Sequence, residues 1–245
     1  MTTPRDLAEG LEEGAQLPAG SDERFSGYGM MGLPFASGRV LAMRRFPASS
    51  LGPAYTSVWH RDPEQLWTFI QDVPPREACP RYFGSALTAA LTCAIRIGWT
   101  GPYAFSVTVE AHPRLDWDVT LAATPQTSIM NAVSRLIPST LWRQAAFLKM
   151  MGVVARVVLG TGNMQLAGRA PNGQRFVANP RLIWSVASSR ARMGGTDFGD
   201  IGPLAEQARV GDFWIPQRGL FVIGRAFFEP FDPAHHLEAT SAAGP

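Results

Sequence analysis

LTCAIRIG (residues 91–98), YAFSVTVEA (103–111) and LDWDVTLAA (115–123) are three consecutive stretches in which bulky apolar residues alternate with polar ones. A period of two is typical of β-strands, because successive side chains point to opposite faces of a sheet. The links GWTGP and AHPR between them have turn chemistry. The three stretches therefore predict an antiparallel meander with one apolar and one polar face.

Outward from this meander, seven further stretches have strand character. They are GRVLAMRRF, AYTSVWH, LWTFIQDV, GNMQLAG, QRFVA, LIWSVAS and GLFVIGRAFF. The links are short, and Pro-Asn-Gly at 171–173 suits a hairpin turn because Asn-Gly tolerates positive φ values. Ten short strands joined mainly by tight turns predict a mainly β fold, an antiparallel β-barrel.

One segment, residues 127–159, has helical character and interrupts the strands. Within it Thr140–Leu159 is rich in helix formers, and Arg143, Lys149 and Arg156 argue against a membrane span. We expect a helical insertion in a single β-barrel domain over residues 25–232. Residues 1–24 and 233–245 are polar or low in complexity and are expected to be a flexible arm and a flexible tail.

Composition limits the classes of function. A net charge of +2 without a basic run does not indicate a nucleic-acid partner. Cys79 and Cys93 are the only cysteines and lack metal-ligand spacing, so neither a disulfide framework nor a metal site is expected. The N-terminus has no apolar signal segment, so the expected location is cytoplasmic. Lys149 is the only lysine, which restricts Schiff-base chemistry to that amine.

A pair of carboxylates is the first candidate site. If AHPR closes a hairpin, Glu110 faces Asp116 and Thr108 faces Asp118 on one side of the meander. Opposed carboxylates need solvent, a cation or a shared proton, which would suit an acid/base pair. The alternative is a water-facing outer surface. In an enzymatic version Asp116, Asp118 or Glu110 would be the acid or base, and Tyr103 or Arg96 would polarise the substrate.

The hairpin YTSVWHRDPEQLWTFIQDV (55–73) and the irregular segment DVPPREACPRYFG (72–84) provide further candidates. His60, at a strand end, is either a general base or the rim of the hairpin. The candidates for ligand contact along the chain share an aromatic ring or a guanidinium group. They are Trp59, Trp67, Arg81, Tyr82, Arg96, Tyr103 and Trp117.

The stretch GYGMMG (27–32) spells GxGxxG, a pattern found in dinucleotide-binding loops. That mechanism needs a strand before the glycines and a helix after them. Here a polar segment precedes them and LPFASG follows, so the motif indicates a flexible lead-in and no nucleotide cofactor is expected.

The meander with Trp-Thr-Gly-Pro at 99–102, followed by GNMQLAG and the Pro-Asn-Gly turn, resembles the calycin group, in particular lipocalin-like relatives of carotenoid hydratases. The resemblance implies a barrel that encloses an apolar small molecule, with addition or elimination of water as its chemistry. PLAEQARVGDFWIP near the C-terminus is also similar to acetoacetate-decarboxylase-like barrels, a family that needs a lysine in a strand.

These observations predict that the protein binds an apolar or amphipathic small molecule in a β-barrel cavity, capped by the helical insertion. Two alternatives stay open. One is a cofactor-free lyase, hydratase or isomerase. The other is a protein that uses helix 140–159 for weak contact with a membrane surface, or for an interaction such as a homodimer.

Overall fold

A computed structural model describes residues 2–138 and 140–238. It is mainly β, with 42% strand and 21% helix, which confirms the expected class. The strands are β1 (Glu23–Pro34), β2 (Val40–Ser49), β3 (Tyr55–Arg61), β4 (Trp67–Gln71), β5 (Ala89–Thr92), β6 (Ile95–Gly101), β7 (Ala104–Val109), β8 (Leu115–Ala122), β9 (Ala167–Arg169), β10 (Arg175–Met193), β11 (Thr196–Asp197), β12 (Arg209–Val210), β13 (Phe213–Trp214) and β14 (Leu220–Phe228). The α-helices of the described part are α1 (Pro4–Gly14), α2 (Pro80–Phe83), α3 (Pro125–Leu136) and α4 (Ala145–Leu159).

Ten strands form one sheet in the order β5-β4-β3-β2-β1-β14-β10-β8-β7-β6, and β9 and β11 add to β10. The neighbours pair antiparallel except β4 and β5, which are parallel. The sheet is strongly curled into a half-barrel. The expected antiparallel β-barrel is found as a half-barrel that does not close, because within the described residues β5 and β6 remain two separate edges.

Strand β10 connects the two halves of the curl. Its first part, 176–185, pairs with β14, and its second part, 185–193, pairs with β8. The register shifts between Pro180 and Leu182, a bulge that accommodates a proline inside a strand. QRFVA and LIWSVAS are therefore one bent strand, because the bulge lets the ladder continue past Pro180.

The curl creates two cores, one on each face of β1–β4. The inner core lies between β1–β4 and the returning strands β6–β8, and it includes Met43, Val58, Ile70, Val107 and Trp117. The outer core lies on the other face, under α2 and α4, and it includes Phe46, Trp59, Tyr82, Leu148 and Leu159. The space that the curl encloses is thus filled by side chains, as in small barrels. The helical insertion covers the outer face and does not cap the mouth of a barrel.

The helical insertion is confirmed as α3, a short 3-10 turn at Leu141–Arg143 and α4. A capping box at Thr124 starts α3, and Gly160 in the left-handed conformation ends α4. The N-terminal segment expected as a flexible arm contains α1, which begins at a capping box on Thr3 and buries Ala8 in the inner core. The expected tail lies outside the described residues from 239 onward.

The GYGMMG stretch lies inside β1, at the centre of the sheet, and is not a lead-in. A β-carbon on Gly27 would overlap the carbonyl oxygen of Arg45, and one on Gly29 would overlap that of Met43. Glycine here allows close approach of two backbones. The motif is explained by strand packing.

Candidate functional site

Arg44 on β2 is the charged side chain that the fold places most unusually. It shares a strand face with Val40, Ala42 and Phe46, which all belong to the outer core. The guanidinium lies 4.7 Å from the ring centroid of Trp59 and 5.4 Å from that of Phe213. A cation is thus held between two aromatic rings in an otherwise apolar layer.

The hydrogen bonds of Arg44 are all to backbone carbonyls. Nη1 donates to Met30 O and, at 2.9 Å, to Met43 O, while Nη2 donates to Met31 O at 3.1 Å. Two of its five N–H groups, on Nε and Nη2, have no acceptor among the described residues. No carboxylate of residues 2–138 and 140–238 forms a salt bridge with Arg44.

Desolvation dominates the electrostatics of this group. Burial lowers the pKa of Arg44 to about 10, and the neighbouring Cys79 and Tyr55 oppose this only in part. The charged form persists at neutral pH, and the half-buried side chain has no counter-ion among the described residues. Such a cation is stabilised by any anion that can reach it.

Arg44 can be reached, because it lines two adjoining cavities of about 70 and about 60 Å³. The first is bounded by aromatic side chains and by Cys79, and the second by Gly27, Gly29 and Gly224, whose missing side chains leave backbone as its wall. An engineered cavity of about 150 Å³ holds benzene, so the space fits a ligand of about six non-hydrogen atoms or fewer.

Two proton-bearing groups face the first cavity. Tyr55 Oη and Cys79 Sγ are 3.7 Å apart, and both side chains are buried. Desolvation raises the pKa of Tyr55 and that of Cys79, so both are neutral at pH 7. The site therefore combines one fixed cation with two neutral groups that can donate a hydrogen bond or a proton.

The wall of the first cavity that contains Tyr82 is held in place by an internal ion pair. Arg81 contacts Glu23 with Nη2–Oε1 at 2.7 Å and Nε–Oε2 at 3.1 Å, and Tyr82 donates its hydroxyl to Glu23 at 2.6 Å. Tyr82 also stacks on Phe228 with centroids 3.6 Å apart. Arg81 was a candidate for ligand contact, and it binds a carboxylate of its own chain. It positions Tyr82 and the cavity wall.

The structure places the predicted carboxylates outside both cores. The hairpin register is Thr108 with Asp116 and Ser106 with Asp118, two residues from the expected pairing. The side chains of Glu110, Asp116 and Asp118 are all exposed.

Two of these carboxylates have arginine partners. Glu110 pairs with Arg96 at 2.9 Å, and Asp116 pairs with Arg114 at 2.9 Å. This polar face carries paired charges in water, and a role of these carboxylates or of Arg96 in chemistry stays a prediction.

His60 is not an exposed rim residue. Its ring lies 5.5 Å from that of Phe198, and its Nε2 is buried without a hydrogen-bond partner among the described residues. Burial lowers the pKa of His60 to about 4, so the imidazole is neutral at pH 7.

The remaining predicted ligand contacts fall in three places. Trp59 lines the first cavity and stacks on Phe69 at 4.1 Å. Trp117 is buried in the inner core, where Nε1 donates to Ser189 at 2.9 Å, and Tyr103 packs partly buried against the same core. Trp67 lines a separate open cleft of about 660 Å³ beside Arg61 and Trp214. Of all the predicted ligand contacts among the described residues, Trp59 and Tyr82 are the two that line the Arg44 cavities.

A second wide groove of about 580 Å³ runs beside the end of α4, and among the described residues Arg218 is the one charged side chain that lines it. Arg218 is exposed, so its charge is hydrated without a ligand. The cleft beside Trp67 also contains a buried guanidinium, that of Arg61, but the carboxylates of Glu206 and Asp62 act on its charge. The Arg44 cavities combine a guanidinium that has no carboxylate partner among the described residues with converging polar groups.

Sequence reasoning missed Arg44, Tyr55 and Cys79 as site residues, although a signal for the first was present. In VLAMRRF (40–46) the two arginines are adjacent, so one of them must share the face of Val40, Ala42 and Phe46. Cys79 lies near the Arg44 face of β2 because of the path that residues 72–88 follow. No periodicity in the sequence predicts that path.

Comparison with known proteins gives no family. No family model matches the chain, and no curated protein matches it. The acetoacetate decarboxylase of Legionella pneumophila overlaps with a TM-score of 0.39 at 12% identity, over 88% of this chain and 87% of that one. Another acetoacetate decarboxylase structure gives 0.40 at 9% identity, over 87% and 88%. Overlaps this distant carry no argument about activity.

Proposed function

We propose that this protein binds a small organic anion with an apolar body in the cavities beside Arg44. The observation that carries the proposal is a desolvated guanidinium that has no carboxylate partner in the described chain and lines reachable space. The anionic group would accept hydrogen bonds from the two free N–H groups of Arg44. The apolar body would contact Trp59, Phe213 and the neighbouring rings.

The size of the cavities and their aromatic walls define the ligand class. A short-chain carboxylic acid fits, whereas an aromatic acid or a lipid of 20 carbons exceeds the space. The ligand is thus amphipathic, and it binds on the outer face of the sheet under the helical layer. The carotenoid-hydratase-like alternative, with a larger apolar molecule inside a closed barrel, has less support because the curl is open and its inside is filled.

The test is a thermal-shift and calorimetric screen of short carboxylic acids, each paired with its neutral amide. We expect acids to raise the Tm of the wild-type protein, because ligand at 100 times its Kd stabilises the folded state by about 2.7 kcal/mol. The amides should do little. Arg44→Met should abolish the response to acids, while Arg96→Met, which removes an exposed arginine, should retain it. Equal responses in the two variants would refute the proposal.

A catalytic version of this proposal is favoured by Tyr55 and Cys79, which bring neutral proton donors to the same cavity. In a lyase or isomerase that acts on the bound acid, the Tyr55 hydroxyl would be the general acid. Tyr55→Phe should then retain ligand affinity and lose turnover. Unchanged turnover in that variant would leave binding as the function. No lysine amine is available at this site for Schiff-base chemistry, because the only lysine of the sequence, Lys149, is exposed on α4.

A further inference from the structure

Helix α3 is amphipathic in the reverse sense of an ordinary surface helix. The residues that it buries are polar: Thr127, Asn131 and Ser134. Asn131 bonds both the N–H and the carbonyl of Ile183, at 2.7 and 2.9 Å, and Ser134 donates to Arg181 O at 2.5 Å. The polar face of α3 therefore docks on the β10 backbone.

The opposite face of α3 is apolar and lies in solvent. Ile129 is 66% exposed, Val133 51% and Leu136 83%, and their spacing of four and three residues places them on one stripe. An apolar helix face that is exposed to water contributes no hydrophobic stabilisation to the folded protein. The arrangement indicates an apolar environment outside the protein.

Helix α4 also exposes an apolar stripe. It buries Leu148, Gly152, Ala155 and Leu159 against the outer core, while Met150, Val153, Val157 and Val158 are 45 to 76% exposed. Met150, Val153 and Val157 form a second stripe at helical spacing. We call the exposed stripes of α3 and α4 together the apolar helical face.

The segment of chain that contains both helices carries charges of one sign. Residues 119–196 contain no Asp or Glu and nine Arg or Lys. Arg135, Lys149 and Arg156 are exposed on α3 and α4, and none has a carboxylate partner within the described residues.

A recess beside the end of α3 concentrates this charge. It measures about 290 Å³ and is lined by Arg135, Arg181 and Arg225. Arg181 lies 5.6 Å from the centroid of Trp142, and its Nε is buried without an acceptor in the described chain. Burial, followed by the charge of Arg225, lowers the pKa of Arg181. The recess is complementary to an anionic group such as a phosphate.

We propose that the apolar helical face binds an anionic lipid surface, with α3 and α4 in the plane of the interface. The exposed apolar side chains would enter the acyl boundary, and Arg135, Lys149 and Arg156 would contact lipid phosphates. A second copy of the chain fits the face poorly, because a symmetric contact would oppose like charges with no acid to neutralise them. Within the described residues no helix is long and apolar enough to cross a bilayer, so the contact is peripheral.

The test is co-sedimentation of the full chain with vesicles of phosphatidylcholine alone and with 30% phosphatidylglycerol. We expect binding to the anionic vesicles, little binding to neutral ones, and release at high salt. Arg135→Gln, Lys149→Gln and Arg156→Gln should each weaken partitioning about five-fold, and their combination roughly 100-fold. Ile129→Asn with Leu136→Asn should also abolish binding.

Matched controls are Arg76→Gln, an exposed arginine outside these helices, and Leu66→Asn, an exposed leucine at a β-turn. Both should bind as wild type does. The substituted residues are exposed, so an unchanged circular dichroism spectrum and Tm will show that each variant folds. Absence of wild-type binding to anionic vesicles would overturn the proposal. So would a dimer in sedimentation velocity that only Ile129→Asn with Leu136→Asn dissociates, since the face would then be a protein interface.

Discussion

Arg44 and Arg45 are consecutive residues of β2, and only one of them has a counter-ion. Arg45 reaches both carboxylate oxygens of Glu12, at 2.7 to 3.2 Å, and Glu12 also accepts the Tyr28 hydroxyl at 2.8 Å. Burial acts against ionisation of Glu12, but the bonds from Arg45 and Tyr28 outweigh it and lower the pKa of the carboxyl. Arg44, on the opposite face, bonds only to carbonyls.

This difference predicts opposite effects of the same substitution on stability. Arg45→Met strands Glu12 and should lower the free energy of unfolding by about 1–3 kcal/mol. Arg44→Met removes a desolvated cation and should cost less, or even stabilise, because apolar replacements of buried charges often do so. Urea denaturation at pH 7 measures both. A larger loss for Arg44→Met would identify Arg44 as a structural residue and weaken the anion-site proposal.

His60 predicts how stability depends on pH. Its pKa is about 4 in the folded protein and about 6.5 when unfolded, because burial disfavours the imidazolium. Between these values the unfolded chain binds a proton that the folded chain does not, so the free energy of unfolding falls as pH falls. The contribution of neutral His60 to the free energy of unfolding is fully present above about pH 6.5 and is lost below about pH 4. We expect this contribution to be about 2–3 kcal/mol.

Denaturation series at several pH values, with His60→Phe alongside, will measure this contribution. The variant should lose most of the slope between pH 6.5 and 4. His112→Phe, at an exposed turn, should keep it. A wild-type slope that survives in His60→Phe would assign the effect to other groups.

The glycines of β1 predict a severe effect of a single methyl group. In Gly27→Ala the new β-carbon would overlap Arg45 O and lie 2.9 Å from Phe46 Cα, and backbone cannot move aside easily. We expect a loss of about 3 kcal/mol or more, or failure to fold. Gly10→Ala is the control, because Gly10 lies in α1 with nothing near its β-carbon. There alanine should stabilise by about 0.5–1 kcal/mol.

The Glu23 network predicts a graded series. Glu23 accepts from Arg81, from Tyr82 and, at 3.2 Å, from Gln174. Glu23→Gln should lower the free energy of unfolding by about 2–3 kcal/mol, since charged hydrogen bonds are the strong ones. Arg81→Lys should cost about half as much, because lysine keeps the positive charge but cannot form the bidentate contact of the guanidinium with the carboxylate. Glu77→Gln, which breaks the exposed 3.4 Å pair with Arg76, should change little. Equal effects of Glu23→Gln and Glu77→Gln would contradict this account.

Period-two patterning predicted most of the strands, and the run of helix-forming residues predicted the helical insertion. Both signals are local. Period-two patterning failed at β1, whose three glycines have low strand propensity and whose close backbone contacts are not local. It also read Pro180 as a break, where a bulge continues β10. Closure of the barrel was not predictable for a related reason, since alternation of side chains is the same in an open and a closed sheet.

The candidate site was less predictable than the fold. Polar residues on the strands β6–β8 stood out in the sequence because they are many, and they face water. Arg44 is a single polar residue on an apolar face, and its importance depends on which residues approach from α2 and β13. His60 and Arg81 were noticed for their chemistry, but their partners are set by tertiary contacts.

Strand β14, residues 220–228, lies between β1 and β10, so β1 waits for almost the whole chain before it gains its second neighbour. During synthesis, residues 23–71 can form only a partial sheet with an unpaired edge at β1. Such an edge is a template for intermolecular pairing. A chain truncated before residue 220 would therefore be prone to aggregation, and the synthesis of residues 72–219 is the interval in which this chain most needs a chaperone.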